Sequence, residues 1–358
     1  MKTEHLILKA FRQPHSIDSL HLAEWDMLIR QARQGDLLPS LYSLLDQHGM
    51  LDHVPLQPRE HLLWSWIAAE RHAQAVRWEV RLIREALANL DMPVILLKGA
   101  AYVLAGLPSA QGRIFSDIDI LVPKISLNEV EAALMLHGWE IMHHDAYDQR
   151  YYRTWMHELP PMRHIKRETV IDVHHALVPE TAPIRPDPVK LMKAAYPINE
   201  AGDLMVLAPA DMVLHSAVHL FHDGELDNGL RDLIDIHRLL CHFGDEPSFW
   251  SELAPRAVEL ELSRPLFYAL RYAKLLLHTP IPPEVMTAAE VGRPNRLLLS
   301  LMDRLFARAL VPDHPSCADR FTSAAKKILY IRANWLRMPP LLLARHLFHK
   351  AFISPKPE

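Results

Sequence analysis

Two aspartates lie one residue apart in the apolar segment IFSDIDILVP, residues 114–123. On a β-strand, residues i and i+2 point to the same side, so Asp117 and Asp119 would project together while the intervening isoleucines face the core. Neighbouring carboxylates repel each other and lose hydration, so they require a positive partner, or one of them must hold a proton. Mg²⁺, which binds through one or two carboxylates plus substrate phosphates, fits this pair best. A solvent-exposed strand end is the alternative explanation.

A third acid, Asp172, lies in a second apolar segment, VIDVHHAL. If the two strands are neighbours, three carboxylates converge on one edge of the sheet and could hold two metal ions. Asp172 could then also deprotonate an attacking hydroxyl group. His174 lies two residues further on and would share the face of Asp172, where it could contact substrate or orient an acid. A lone acid at a strand edge is the alternative for Asp172.

The segment LLKGAA joins a predicted buried strand to a predicted helix. Gly99 would let backbone amides at the helix N-terminus approach a phosphate closely, and the helix dipole favours that negative charge. Lys98 adds a positive charge, and Arg113 is a second candidate for phosphate binding. Ala100 in the turn and Ser116 beside the aspartates complete the predicted nucleotide contacts. An ordinary strand–helix turn and a surface arginine are the simpler explanations.

A histidine-rich stretch at residues 215–237 offers a different metal chemistry. Histidines and aspartates on helices are what HD-type phosphohydrolases use to hold two metal ions. HD domains collect these ligands from well-separated helices, whereas here they are close in sequence, so a helical wall beside the acidic site is the preferred interpretation. In such a wall, Arg231 and Asp232 could contact nucleotide or acceptor. The HD-type set would comprise His215, His219, His222, Asp223, Asp232, Asp235 and His237.

The elements around these residues predict an α/β (α+β) fold with a small mixed-sheet core flanked by helices. Residues 1–90 are predicted as an N-terminal helical segment, 91–182 as the α/β core and 183–358 as a C-terminal helical domain. Core strands are expected in MPVILLKG, IFSDIDILVP and WEIMHH, with a hairpin around KRET. A helix that begins with a capping box formed by Ser126 and Glu129 is expected between the strands IFSDIDILVP and WEIMHH. The basic amphipathic tail predicts a docked C-terminal helix, with a membrane-surface or partner helix as the alternative.

Composition narrows the possible functions. The chain of 358 residues carries 43 acidic and 39 basic side chains, a net charge of −4, which provides no global basic field for nucleic acid. Two widely separated cysteines suit a reducing compartment and predict a cytoplasmic protein. We find no secretion signal, no apolar run long enough to span a membrane, and neither a P-loop nor a dinucleotide-binding signature.

The order of these motifs resembles the nucleotidyltransferase fold of the DNA polymerase β superfamily. More closely, the LKG turn, the R…DIDILV strand, the D-x-H strand and the flanking helices resemble a family of uncharacterised nucleotidyltransferases. The resemblance implies that Gly99 is the turn glycine, that Asp117 and Asp119 bind metal, and that Asp172 is the third acid. Ala100 stands where the superfamily usually has a serine or a second glycine.

The sequence therefore predicts a nucleotidyltransferase that depends on Mg²⁺ (or Mn²⁺). It would move a nucleoside monophosphate from an NTP to an unidentified acceptor and release pyrophosphate. ATP is the expected NTP only because it is the nucleotide most commonly used. The net charge favours a small molecule or a protein over nucleic acid as acceptor. The HD-type phosphohydrolase and a non-catalytic scaffold that binds nucleotide or a partner are the alternatives.

Overall fold

A seven-stranded mixed sheet packs between two groups of helices, which confirms the predicted α/β (α+β) class. The computed structural model describes residues 5–142, 145–198, 202–224 and 226–344. Residues 143–144 of the third predicted strand and residues 345–358 of the predicted C-terminal helix lie outside the described residues.

The segment before the sheet is helical, as its periodicity predicted. The longest helix has 32 residues, and its buried positions, among them Val76, Val80 and Ile83, recur at three- and four-residue steps. One face of this helix therefore packs against the core. The α-helices of this segment are α1 (Leu6–Arg12), α2 (Leu22–Gln34), α3 (Leu38–Gln47) and α4 (Leu56–Leu87).

The sheet contains strands β1 (Val94–Leu96), β2 (Asp117–Leu121), β3 (Trp139–Ile141), β4 (Met162–His164), β5 (Val170–His174), β6 (Tyr196–Pro197) and β7 (Leu204–Val206). Their spatial order is β3-β4-β5-β2-β1-β7-β6. Strand β2 pairs antiparallel with β1 and parallel with β5. Strands β4 and β5 form the predicted antiparallel hairpin. Ile118 and Ile120 are buried, so the apolar face of β2 lies in the core, as predicted.

Strands β6 and β7 were not predicted. They follow the proline-rich segment after residue 182, and β7 pairs in parallel with β1. Strands of two and three residues show too little alternation for their periodicity to be recognised. The core sheet thus draws on residues from beyond position 182, while the three-part division of the chain stays a prediction.

Four short helices lie among the strands: α5 (Lys98–Leu104), α6 (Leu127–Leu136), α7 (Ala146–Trp155) and α8 (Pro188–Ala194). The capping box predicted for α6 is wrong. Ser126 ends a 3₁₀ turn with φ −90° and ψ −1°, and its side chain makes no capping hydrogen bond. A capping residue normally has extended dihedral angles that aim its oxygen at the first free amides, and Ser126 lacks them.

Helical structure returns after Pro209, as predicted. The α-helices are α9 (Pro209–Val218), α10 (Gly229–Phe243), α11 (Pro247–Glu259), α12 (Ser263–Leu277), α13 (Pro283–Ala288), α14 (Arg296–Ala309) and α15 (Thr322–Arg337). A short π-helix, His219–Asp223, continues directly from α9. Within the described ranges, no helix combines the length and the apolar character that crossing a membrane would require.

Side chains from all three segments share one hydrophobic core. Arg12 of α1 donates from Nε to the Leu276 carbonyl oxygen of α12 at 2.6 Å. Ser40 of α3 donates from Oγ to the Gly112 carbonyl oxygen at 3.1 Å. Since Gly112 lies in the segment that leads into β2, the N-terminal helices hold the aspartate-bearing strand in place.

Gly112→Ala should therefore destabilise the protein more than Gly106→Ala. Both glycines have positive φ, +70° and +65°, so both substitutions incur a backbone cost of about 1–2 kcal/mol. A Cβ at Gly112 would lie 2.4 Å from the Pro39 carbonyl carbon, whereas nothing lies within 4 Å of a Cβ at Gly106. Overpacking should add about 1–3 kcal/mol to the loss at Gly112. Urea denaturation measures both free energies of unfolding, and equal losses would contradict the packing argument.

Candidate active site

Parallel pairing of β2 with β5 sets the three predicted acids side by side. In this register Asp119 lies opposite Asp172, and Asp117 lies opposite Val170. One carboxylate oxygen of each acid lies within 4.8 Å of the corresponding oxygen of the other two. The three acids thus converge on one face of the sheet, over the neighbouring central strands β2 and β5, as the alternation of strand side chains predicted.

Asp119 is the most buried of the three acids, and a lysine and a histidine contact its carboxylate. Lys98 Nζ donates to Asp119 Oδ1 at 3.2 Å, and His174 Nε2 lies 2.9 Å from the same oxygen. Burial raises the pKa of Asp119, but Lys98 and the hydrogen bond from His174 outweigh burial and lower that pKa below its ordinary value. Asp119 is therefore ionised at neutral pH.

Asp172 has the opposite electrostatic environment. Burial, followed by the charges of Asp119 and Glu158, raises the pKa of Asp172 to about 8. Its Oδ1 atom is buried and has no hydrogen-bond partner among the described residues. Asp172 therefore holds a proton at neutral pH, and one of its oxygens has no partner in the part of the chain that the structure describes.

This donor set fits a divalent cation such as Mg²⁺ or Mn²⁺. The three acids offer only oxygen ligands, which these ions prefer. A buried polar atom normally has a partner, and the unpaired Oδ1 of Asp172 lacks one. A cation among the carboxylates would also offset the repulsion that keeps the proton on Asp172.

The turn between β1 and α5 is shaped by packing as well as by its glycine. Lys98 has a φ of +44°, which is uncommon for a residue other than glycine. A Cβ at Gly99 would lie 2.6 Å from the Phe115 ring, so the glycine makes room for that ring. No local sequence pattern indicated this contact. The Ala100 side chain is 1% exposed and lies in the core, away from the cleft described below.

Arg113 lies inside the protein, so its interpretation as a surface arginine is wrong. It is 6% exposed. Its Nη1 atom lies 2.5 Å from Asp235 Oδ2 and 3.5 Å from Asp232 Oδ1. Burial lowers the pKa of Arg113, but Asp235 and Asp232 outweigh burial and raise it. Burial raises the pKa of Asp235 to about 6, although the charge of Arg113 acts to lower it. Arg113 therefore ties the segment before β2 to α10, and nearby acids already offset part of its charge.

A cleft of about 190 Å³ opens beside Asp117 and Asp119. Lys98, Arg113 and Arg231 contribute positive charge to its lining. The cleft therefore combines acids that suit a metal ion with cations that suit a polyphosphate.

The far wall of this cleft comes from the start of α10 and the π-helix. Arg231 donates from Nη1 to the Ile114 carbonyl oxygen at 3.3 Å and from Nη2 to Asp232 Oδ1 at 3.1 Å. Asn228, which the sequence analysis missed, and His219 also line the cleft. On the near side, Ser116 Oγ donates to Asp117 Oδ1 at 3.1 Å. Ser116 thus orients an acid as well as lining the cleft.

The histidine-rich helices do not assemble the HD-type metal site within the described part of the chain. His215 is buried, and burial and then Lys98 lower its pKa to about 3, so it is neutral. His222 Nδ1 lies 3.2 Å from Asp223 Oδ1, and His237 Nδ1 lies 2.8 Å from the Thr279 hydroxyl. The described part of the chain contains two groups of side chains that could hold a metal ion, and neither group includes a residue from positions 215–237. The preferred interpretation, a helical wall beside the acidic site, matches this arrangement.

Two residues that the sequence analysis missed, His157 and Glu158, lie beside His174. His174 Nδ1 lies 3.4 Å from Glu158 Oε2, while its Nε2 contacts Asp119. Burial lowers the pKa of His174, but the hydrogen bond to Asp119 and then Glu158 outweigh burial and raise it. A backbone bridge between Glu158 and His174 produces this proximity. No local periodicity could have revealed it.

The profile of a family described as uncharacterised nucleotidyltransferase matches residues 21–278, well over half of the chain. The chain belongs to this family. The matched region contains the whole sheet, the three acids and the helices of the cleft wall. No curated protein matches the chain. Membership supports a general nucleotidyltransferase role and implies a nucleotide substrate.

Replacing Asp172 should change how the stability of the protein depends on pH. The pKa of Asp172 rises from 3.8 to about 8 on folding, so between these values the folded state binds the extra proton. The stabilisation of the folded state by this proton is therefore complete below pH 4 and is lost as the pH rises towards 8. Without metal, Asp172→Asn should gain stability relative to wild type across this range, by up to about 1.4 kcal/mol per pH unit.

Urea denaturation in EDTA between pH 5 and pH 8 measures this difference. Asp227→Asn, which removes one exposed carboxylate, is the matched control and should stay within about 0.5 kcal/mol of wild type. A constant difference between Asp172→Asn and wild type across this range would contradict the assignment of the proton to Asp172.

Proposed function

We propose that this protein transfers a nucleoside monophosphate from an NTP to an acceptor group and releases pyrophosphate, with Mg²⁺ or Mn²⁺ as cofactor. The convergence of Asp117, Asp119 and Asp172 within 4.8 Å of one another carries this proposal. Family membership supports the general reaction class. The cytoplasm, predicted from the cysteine content, would supply both NTP and Mg²⁺.

Asp117, Asp119 and Asp172 would hold the metal ions. When bound, the ions would offset the charge of the triphosphate and align the reacting phosphorus. Asp119 suits this role because Lys98 and His174 keep it ionised. Asp117 suits it because it lines the cleft and accepts a hydrogen bond from Ser116.

Asp172 would accept the proton of the attacking acceptor group. Without metal the pKa of Asp172 is raised to about 8, so Asp172 carries a proton of its own. A bound cation would stabilise the carboxylate form, which is the form that can accept the proton of the acceptor group. The unpaired Oδ1 atom of Asp172 supports the same role, because that oxygen has no partner within the described protein to displace.

Positive side chains in the cleft would bind the triphosphate. Arg231 and Lys98 both line the cleft, the first from α10 and the second from the first position of α5. Ser116 and the Gly99 backbone would add hydrogen bonds. Arg113 would act mainly by positioning α10, because Asp232 and Asp235 offset part of its charge.

The acceptor would enter between the sheet edge and the C-terminal helices, since ligand sites commonly form between such units. His174 and Asp232 are candidate contacts there. Phe115, Ser116 and Asp117 also line a second cleft, of about 210 Å³. We favour a small molecule or a protein side chain as acceptor because the chain has a net charge of −4.

The nucleotide and the metal should stabilise the protein together. With the Mg²⁺–NTP complex present at about a hundredfold excess over its dissociation constant, unfolding should cost about 2.7 kcal/mol more. Asp117→Asn/Asp119→Asn should lose this gain, whereas Asp227→Asn, outside the acidic triad, should keep it. Thermal unfolding with each NTP, with Mg²⁺ alone and with both identifies the nucleotide. An unchanged shift in the double variant would contradict the assigned metal site.

Turnover separates a transferase from a nucleotide-binding scaffold. Pyrophosphate release from the identified NTP, measured with pooled small-molecule and protein acceptors, should fall at least about 100-fold in Asp119→Asn. Asp172→Asn should lose turnover to a similar extent. Stabilisation by Mg²⁺–NTP with no pyrophosphate release from any acceptor pool would favour the scaffold.

A further inference from the structure

Beside the acidic triad, backbone pairing brings a second set of metal-type side chains together. The His175 amide donates to the His157 carbonyl oxygen at 2.8 Å, and the Leu159 amide donates to the Val173 carbonyl oxygen at 2.9 Å. These two bonds fix His157 and Glu158 against the end of β5, where His174 lies. Hydrogen bonds therefore hold the backbone at or next to each of these three residues.

The side chains of His157, Glu158 and His174 form a compact donor set. One ligand atom of each lies within 4.8 Å of the other two. His174 Nδ1 and Glu158 Oε2 are 3.4 Å apart. Two imidazoles with one carboxylate suit Zn²⁺ and similar transition ions, whereas the three oxygens of the acidic triad suit Mg²⁺.

His157 provides a second, independent observation. Its side chain is buried, with 9% of the residue exposed, yet Nδ1 has no hydrogen-bond partner among the described residues. A buried polar nitrogen without a partner is costly.

The other nitrogen of His174 already has the partner that metal-binding histidines commonly have. Nε2 lies 2.9 Å from Asp119 Oδ1, so it can donate to that carboxylate while Nδ1 faces Glu158. Carboxylate–histidine–metal arrangements of this kind fix the tautomer and the orientation of the ring.

We propose that His157, Glu158 and His174 form a binding site for a transition-metal ion of the Zn²⁺ type, separate from the acidic triad. His174 connects the two sites, because the ion takes Nδ1 and leaves the Nε2 proton for Asp119. An ion at this site fixes the orientation of His174, and through it that of the Asp119 carboxylate. Three protein ligands leave a further coordination position for water or substrate.

Charged groups from other elements surround this site. Lys98 and Arg337 bring positive charge towards His157, and Asp223 brings negative charge. Arg337 Nε lies 3.9 Å from Asp223 Oδ1, so these two charges partly offset each other. Burial raises the pKa of Glu158, and the charges of His174 and Lys98 oppose that rise, so a bound cation would favour the ionised form that serves as a ligand.

Metal binding can be measured in a variant that lacks two of the three carboxylates of the acidic triad. In Asp117→Asn/Asp172→Asn, equilibrium dialysis against Zn²⁺ alone should give one bound ion per chain. Co²⁺ alone should give visible absorption bands of a low-coordinate nitrogen–oxygen site. Adding Glu158→Gln or His157→Gln should weaken Zn²⁺ binding by more than about 100-fold, since outer partners alone are worth about 10- to 100-fold.

His175→Gln is the matched control, because His175 is the adjacent buried histidine and lies outside the donor set. It should keep the bound ion. Far-ultraviolet circular dichroism of the metal-free variants checks that each is folded. Less than about 0.2 Zn²⁺ per chain in the folded background would overturn the proposal. Equal binding with and without His157 and Glu158 would also overturn it.

This test is independent of the proposed transferase. The Mg²⁺–NTP stabilisation is measured with the acidic triad intact, whereas Zn²⁺ binding is measured with the triad disabled and no nucleotide present. Loss of one result therefore leaves the other standing.

Discussion

The repulsion between the Asp119 and Asp172 carboxylates governs the arrangement of the site. Parallel pairing of β2 with β5 places these acids opposite each other, and burial strengthens their interaction. The two acids differ in protonation state, because Lys98 and His174 keep Asp119 ionised while Asp172 holds a proton. One acid therefore stays charged while its neighbour carries a proton.

The C-terminal helices complete this site from the outside. Helix α10 supplies Asp232 and Asp235, which hold the buried Arg113, and it supplies Arg231 to the cleft. Arg113 in turn fixes the segment before β2, which the N-terminal helices hold through Gly112. Strand β2 is therefore positioned from both sides, and its aspartates depend on contacts with the beginning and the end of the chain.

His174 links two groups of side chains with different chemistry. On one side it contacts Asp119, and on the other it faces Glu158. The raised pKa of His174 reflects both partners, so a proton or an ion between His174 and Glu158 affects the same ring that orients Asp119. Two neighbouring centres, one of oxygen donors and one of nitrogen and oxygen donors, can thus be coupled through a single imidazole.

The sequence by itself determined the elements that carry the site. The period-two pattern around Asp117, Asp119 and Asp172 predicted strands with acids on one face, and the long helical periods predicted α4 and the C-terminal helices. Local patterns suffice here because they record which face of an element is buried. The family resemblance, carried by the same short motifs, is confirmed by the match over residues 21–278.

Only the tertiary structure decided which polar side chains meet. Arg113 carries no local sign that it is buried against Asp235, and Gly99 none that it faces Phe115. His157 and Glu158 lie in a segment without strand periodicity and reach His174 through one backbone bridge. The two short strands β6 and β7 are likewise fixed by pairing with distant residues. Periodicity records the burial of a face, whereas the partner of a charge depends on long-range packing, which no single stretch of sequence contains.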